Sequence, residues 1–117
     1  MDWGQVLLGT ALSLGLGMVW FSPLMFGRVW AQGSHGLKPP PTPPYLAMGV
    51  LLAGTFMYAA AIDFAPDLHG RIVIITAITA VVGGMDLYSQ KSGGATLVDS
   101  GFVAANGLLM ILAQVLV

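Results

Sequence analysis

Polar residues divide the chain into four long apolar blocks, separated by short segments rich in proline, glycine or charge. The blocks run over residues 6–21, 45–62, 72–88 and 97–117. Each is close to the ~20 residues that an α-helix needs to cross the hydrocarbon core of a bilayer. None alternates between polar and apolar residues, as the strands of a membrane β-barrel do. The pattern therefore predicts an all-α fold, an integral membrane bundle of four transmembrane helices.

The breaks between the blocks predict one transmembrane domain over residues 1–117, with helices at about 4–22, 44–63, 68–89 and 97–117. Pro23 ends or kinks the first helix, because its ring cannot continue the hydrogen-bond ladder. The next residues predict a short interfacial segment with Phe26 and Trp30 toward the lipid. The proline-rich loop over 32–43 predicts a stiff polyproline II connector, and a docking motif for a proline-binding partner is the alternative.

Composition narrows the possible functions. Charged residues make up 8% of the chain, against about a quarter in soluble domains. The chain has no cysteine, which excludes a disulfide, a thiolate metal site and a cysteine nucleophile. A net charge of −1 gives no reason to expect nucleic acid as a partner, whereas membrane lipids are expected neighbours. The first residues lack the positive region of a signal peptide, so the first block is predicted to be a retained helix.

Basic residues predict the orientation of the bundle. Arg28, Lys38 and Lys91 fall in the first and third loops, and Arg71 falls in the second. Basic residues favour the cytoplasmic side of a membrane. We therefore expect the first and third loops to be cytoplasmic and both termini to be periplasmic.

Small residues predict how the helices pack, because close approach replaces the hydrophobic effect in lipid. Gly9, Ser13 and Gly17 share one face of the first helix. The third helix repeats the spacing with Thr76, Ala80 and Gly84. These faces are expected to close the bundle internally, and an oligomer seam is the alternative.

Few residues carry candidate chemistry. Asp99 is predicted either to cap the last helix together with Thr96, or to be a buried acid that pairs with Arg28 or binds a proton or cation. Asp86 is expected to form a solvated pair with Lys91. No catalytic arrangement, cofactor motif or metal-ligand spacing is present, so the sequence predicts a protein that is not an enzyme and needs no cofactor.

Residues 2–30 carry a recognisable motif. The string runs Gly17-Met18-Val19-Trp20-Phe21-Ser22-Pro23-Leu24-Met25-Phe26-Gly27-Arg28-Val29-Trp30. It resembles the opening of the DUF1761 family of small bacterial four-helix membrane proteins, whose pattern is Gly-x-x-Trp-Tyr-Ser-Pro-x-x-Phe-Gly-Lys-x-Trp. Phe21 departs from that pattern, as does Asp2 in place of its opening asparagine. The resemblance implies a four-helix fold in the bacterial inner membrane and no particular activity.

The same string has a physical interpretation of its own. Trp20, Pro23, Phe26 and Trp30 predict an aromatic, kinked corner at the interface, with Arg28 anchoring it to phosphates or to an aspartate. The corner is a candidate docking site for a partner.

Two functions remain open at this point. The first is a structural or accessory subunit that packs against a larger membrane complex, with other subunits or copies of itself as partners. The alternative is an oligomeric small transporter or channel that uses Asp99 or Asp86.

Overall fold

The computed structural model describes residues 2–36, 38 and 41–117, and the described part is helical without strands. The five helices are α1 (Trp3–Trp20), α2 (Gly27–Gly33), α3 (Tyr45–Phe64), α4 (Leu68–Tyr88) and α5 (Gly93–Leu116). All except α2 are long and apolar enough to cross a membrane. The predicted all-α bundle with four transmembrane helices is therefore confirmed.

Side-chain oxygens cap the N-termini of three of the four long helices. The carboxylate of Asp2 accepts hydrogen bonds from the backbone of Gly4 and Gln5, and that of Asp67 accepts one at 2.8 Å from Gly70. These bonds satisfy N–H groups that have no partner within the helix. The fourth helix, α3, follows Pro44, which lies just before the helix rather than at its predicted first position.

The start of α5 corrects one prediction. The helix begins at Gly93, four residues earlier than expected, and Ser92 caps it by accepting a hydrogen bond at 3.0 Å from the Ala95 N–H. The Ser92 N–H in turn donates to the Gly33 carbonyl at 2.9 Å, which fixes the cap against α2. Thr96 therefore lies inside the helix, and the predicted capping box with Asp99 does not form.

The connection between α1 and α3 also differs from expectation. The short helix covers Gly27–Gly33 rather than starting directly after Pro23. The rings of Phe26 and Trp30 pack on Trp20 and Phe21 and so face the bundle rather than the lipid. Pro44 follows the proline-rich loop and has φ −81° and ψ 72°. The Tyr45 N–H donates to the Pro43 carbonyl at 2.9 Å, so an inverse γ-turn precedes α3. Residues 37, 39 and 40 of the predicted connector lie outside the described residues.

Helix α5 occupies the centre of the bundle and contacts the other four helices. Its antiparallel neighbours α1 and α4 pack on it most extensively, and α3 packs mainly on α1. We call the end that holds Asp2, Asp63 and Arg71 the terminal end, and the end that holds α2 and the α4–α5 turn the turn end. The first and third loops share the turn end, as the four-span topology predicts.

Small residues pack helix α1 on helix α5. A Cβ atom at Gly9 would lie 3.2 Å from the Met110 side chain, and one at Gly17 would lie 3.1 Å from Phe102. Ser13 is buried between them. The predicted face of α4 behaves differently, because Thr76, Ala80 and Gly84 are all exposed. That expectation of internal packing was wrong, since α4 meets α5 through its opposite side.

We predict that Gly17→Leu lowers the free energy of unfolding by about 1–3 kcal/mol, the usual cost of overpacking. The larger side chain would collide with Phe102. Gly15→Leu is the matched control, because nothing lies within 4 Å of its added Cβ. Thermal unfolding of both variants in detergent measures the difference, and equal stability would contradict the packing argument.

Candidate functional site

One lysine and two aspartates form an ionic cluster at the turn end. The Lys91 ammonium lies 3.0 Å from Asp99 Oδ2 and 3.7 Å from Asp86 Oδ1. The antiparallel packing of α4 on α5 brings the two aspartates to the same level, and Lys91 lies in the turn that connects these helices. With all three groups charged, the cluster carries one net negative charge.

Helix α2 covers this ionic cluster. The Trp30 ring centroid lies 5.6 Å from the Lys91 ammonium, within the range of a cation–π contact. His35 Nε2 lies 2.9 Å from the Ser89 carbonyl oxygen, so the end of α2 is also hydrogen-bonded to the α4–α5 turn. These contacts join the first and third loops into one unit.

The geometry changes the predicted roles of the charged residues. Asp86 is only 8% exposed, so its pair with Lys91 is buried rather than solvated, and its Oδ2 atom has no hydrogen-bond partner. Asp99 pairs with Lys91 and not with Arg28. Arg28 is exposed and takes part in none of the ion pairs among the described residues.

The aromatic corner of residues 20–30 packs on its own chain. The Trp20 indole N–H donates to the Val98 carbonyl at 3.0 Å, and its ring lies 4.8 Å from that of Phe26. A Cβ at Gly27 would overlap the Phe21 carbonyl oxygen, which explains the glycine of the motif. Pro23 is exposed at the edge of this corner.

Polar contacts at the terminal end were missed from the sequence. Asp63 accepts a hydrogen bond at 3.0 Å from the Asp2 backbone N–H, and Gln5 Nε2 donates to the Gln114 carbonyl at 3.2 Å. The Arg71 guanidinium donates to the Ile62 carbonyl at 3.1 Å. Glutamines within the predicted helices were the available signal, because an amide in a membrane helix needs a partner.

A groove opens between α1 and α3 toward the turn end. Its volume is about 520 Å³, and its walls come from residues between 13 and 21 of α1 and between 48 and 55 of α3, with Phe102 of α5 contributing. The walls are almost wholly apolar. Ser13 is the exception of interest, because it is 1% exposed and its hydroxyl has no hydrogen-bond partner.

The α1–α3 groove exists because α3 packs only in part. All ten residues of Tyr45–Gly54 are exposed, whereas burial begins at Thr55. The apolar core lies beyond that point and includes Val6, Ile62 and Met110. We call Tyr45–Gly54 the bare half of α3.

Comparison with known proteins finds no match for this chain. No protein-family model matches the chain, and neither a curated protein nor a solved structure matches it. The resemblance of residues 2–30 to the DUF1761 family therefore stays a prediction.

We predict that Lys91→Met lowers the free energy of unfolding by about 3 kcal/mol, because it leaves two partly buried carboxylates without their counter-charge. Adding Asp86→Asn and Asp99→Asn to that variant should restore most of the loss. Arg28→Met is the control, since the Arg28 side chain is exposed. Chemical denaturation in detergent measures the free energy of unfolding of each variant. An equal decrease in Lys91→Met and Arg28→Met would show that the ionic cluster does not stabilise the fold.

Proposed function

We propose that the protein is an accessory membrane subunit rather than an enzyme, and that it joins a larger membrane assembly through the α1–α3 groove and the bare half of α3. The observation that carries this proposal is the bare half itself. Each turn of the other three membrane-spanning helices has at least one buried or half-buried residue, whereas all ten residues of 45–54 are exposed. A helix surface of this kind is available to a partner.

The position of the charges supports a structural role over transport. Asp86 is two residues from the end of α4, and Asp99 lies in the second turn of α5. At 1.5 Å per residue, both are within about 10 Å of the helix ends. The ionic cluster therefore suits the anchoring of loops, because a transport site is usually near the membrane midplane.

We further propose the bacterial inner membrane as the location, with the turn end in the cytoplasm and the terminal end in the periplasm. The inner membrane follows from the resemblance of residues 2–30. The orientation follows from the basic residues, because Arg28, Lys38 and Lys91 belong to the turn end and Arg71 to the terminal end.

We predict that Gly49→Trp releases the protein from its assembly. Gly49 lines the groove, and no atom lies within 4 Å of its added Cβ, so the substitution fills the groove without disturbing the bundle. Gly84→Trp on α4 is the matched control. Gly84 is equally open and, like Gly49, lies four residues from the turn end of its helix.

The measurement is native mass spectrometry of each variant after gentle extraction from its own membranes. We expect wild type and Gly84→Trp in a complex, and Gly49→Trp alone. Loss of the complex with Gly84→Trp instead would place the assembly surface on α4.

An oligomeric transporter or channel is the second candidate. The observation in its favour is that Asp86 and Asp99 meet on one lysine, with one oxygen of Asp86 unpartnered. Carboxylates within membrane helices commonly bind protons or cations.

This second candidate predicts that Asp99→Asn abolishes cation-driven proton flux into vesicles that contain the purified protein, while the variant remains folded. A pH-sensitive dye inside the vesicles records the flux, and vesicles without protein give the background. Wild-type flux in the variant excludes Asp99 from the mechanism, and background flux in the wild-type protein favours the structural role.

A further inference from the structure

We infer that the turn end binds one anionic phospholipid, which places an acyl chain in a second groove, between α2 and α5, and its phosphate on Arg28. This inference goes beyond the accessory role and does not rest on it, because the α2–α5 groove and the α1–α3 groove share no lining residue. It follows from the direction of the groove, from the charge at this end of the bundle and from the exposed position of Arg28.

The α2–α5 groove is apolar and has the size of a ligand site. Its volume is about 430 Å³, within the range of clefts that hold small molecules. The floor is the face of α5 between Gly94 and Gly101, and the walls come from Trp20, Phe26 and Val29. Among the polar groups of these walls, the Trp20 indole N–H already donates to a carbonyl of α5. The groove therefore suits a hydrocarbon chain rather than a polar ligand.

The groove runs along the axis of α5, from the turn end into the membrane. Val29 packs at its outer end, 3.1 Å from where a Cβ of Gly94 would lie, and Trp20 packs at its inner end, 3.4 Å from the Cβ position of Gly101. These glycines are the second and ninth residues of α5, so the groove extends about 10 Å inward from the first turn. Leu97 lines the groove and is exposed, so the groove is open toward the lipid. A phospholipid chain has this direction, from headgroup level toward the midplane.

The distribution of charge favours an anionic lipid at the turn end. This end holds three basic residues against two acidic ones, so with neutral histidines its formal net charge is +1. The terminal end holds one arginine against three aspartates and has a net charge of −2. The two values add to the −1 of the whole chain. Basic residues at a membrane surface attract anionic headgroups, so the turn end is the end that an anionic lipid prefers.

Arg28 is the basic residue that is placed to bind the phosphate. Lys91 is already held by Asp86 and Asp99, whereas Arg28 is exposed and pairs with no acidic side chain in the described part of the chain. It precedes Val29 in the α2 wall of the groove. A long arginine side chain can lie along apolar surface while its guanidinium stays at headgroup level. The planar guanidinium then donates two parallel hydrogen bonds to a phosphate.

The experiment measures lipid binding to the purified, delipidated protein in detergent. Phosphatidylglycerol and phosphatidylcholine with the same acyl chains are titrated separately, and native mass spectrometry counts the lipid molecules bound to each chain. We expect the first phosphatidylglycerol to bind about fivefold more tightly than the first phosphatidylcholine, the effect of one basic residue on an anionic headgroup. Equal affinities for the two lipids would overturn the anionic site.

Arg28→Gln tests the headgroup contact. Lys38→Gln is its control, because Lys38 is an exposed basic residue of the same end and does not line the groove. We expect Arg28→Gln to lower the affinity for phosphatidylglycerol to that for phosphatidylcholine, and Lys38→Gln to keep the wild-type preference. An equal decrease in both variants would overturn the assignment of the phosphate to Arg28.

Leu97→Trp tests the groove. Leu97 is 73% exposed, so a larger side chain fills the groove without entering the core. Leu108→Trp is the matched control, because Leu108 is 64% exposed on the same helix and lies outside the groove. We expect Leu97→Trp to weaken the binding of both lipids severalfold and Leu108→Trp to weaken neither. Wild-type binding in Leu97→Trp would overturn the groove as the site of the acyl chain.

Glycerol phosphate separates a lipid from a soluble phosphate, because it carries the same phosphate chemistry without acyl chains. We expect an excess of glycerol phosphate to leave phosphatidylglycerol bound, and displacement would overturn the lipid as the ligand. All of these measurements use the purified chain alone. Their outcome is therefore independent of whether Gly49→Trp releases the protein from an assembly.

Discussion

The interior of a bilayer cannot solvate polar groups, and the whole structure depends on this constraint. Backbone groups are satisfied within helices, because lipid offers no alternative partner. Charged side chains are confined to the two ends of the bundle. At the turn end Lys91 pairs with two aspartates, and at the terminal end the Asp63 carboxylate accepts a hydrogen bond from the Asp2 N–H. Between the ends, the hydroxyls of Thr10, Thr55 and Ser100 donate to carbonyls of their own helices.

Helix α5 organises the bundle under that constraint. Glycines of α1 bring α1 and α5 together through Met110 and Phe102, and Gly107 lets Ile75 of α4 approach from another side. The α4–α5 turn is held by α2, through the Ser92–Gly33 backbone bond and the Trp30 ring over Lys91. The turn end is therefore held together by specific contacts, although it consists mainly of α2 and the connecting segments.

The same packing leaves one side unfinished. The buried residues of α3 begin at Thr55 and continue toward the terminal end, so its first half is exposed and a groove lies between it and α1. Lipid removes the hydrophobic penalty for this exposure, so the opening costs the isolated bundle little. A surface that is tolerated in lipid is also available for association, which links the shape of the bundle to its proposed accessory role.

The sequence alone determined the solvent, the all-α class and the number of spans, because hydropathy over about 20 residues is a local property. It also indicated the Gly9–Ser13–Gly17 face that meets α5. Only the tertiary structure decided that Lys91 joins Asp86 to Asp99, that Ser92 caps α5, and that Thr76, Ala80 and Gly84 face outward. Those outcomes depend on which segments become neighbours. The cation that pairs with a carboxylate, and the helix that a serine caps, depend on which groups packing brings close together. Sequence spacing does not reveal those neighbours.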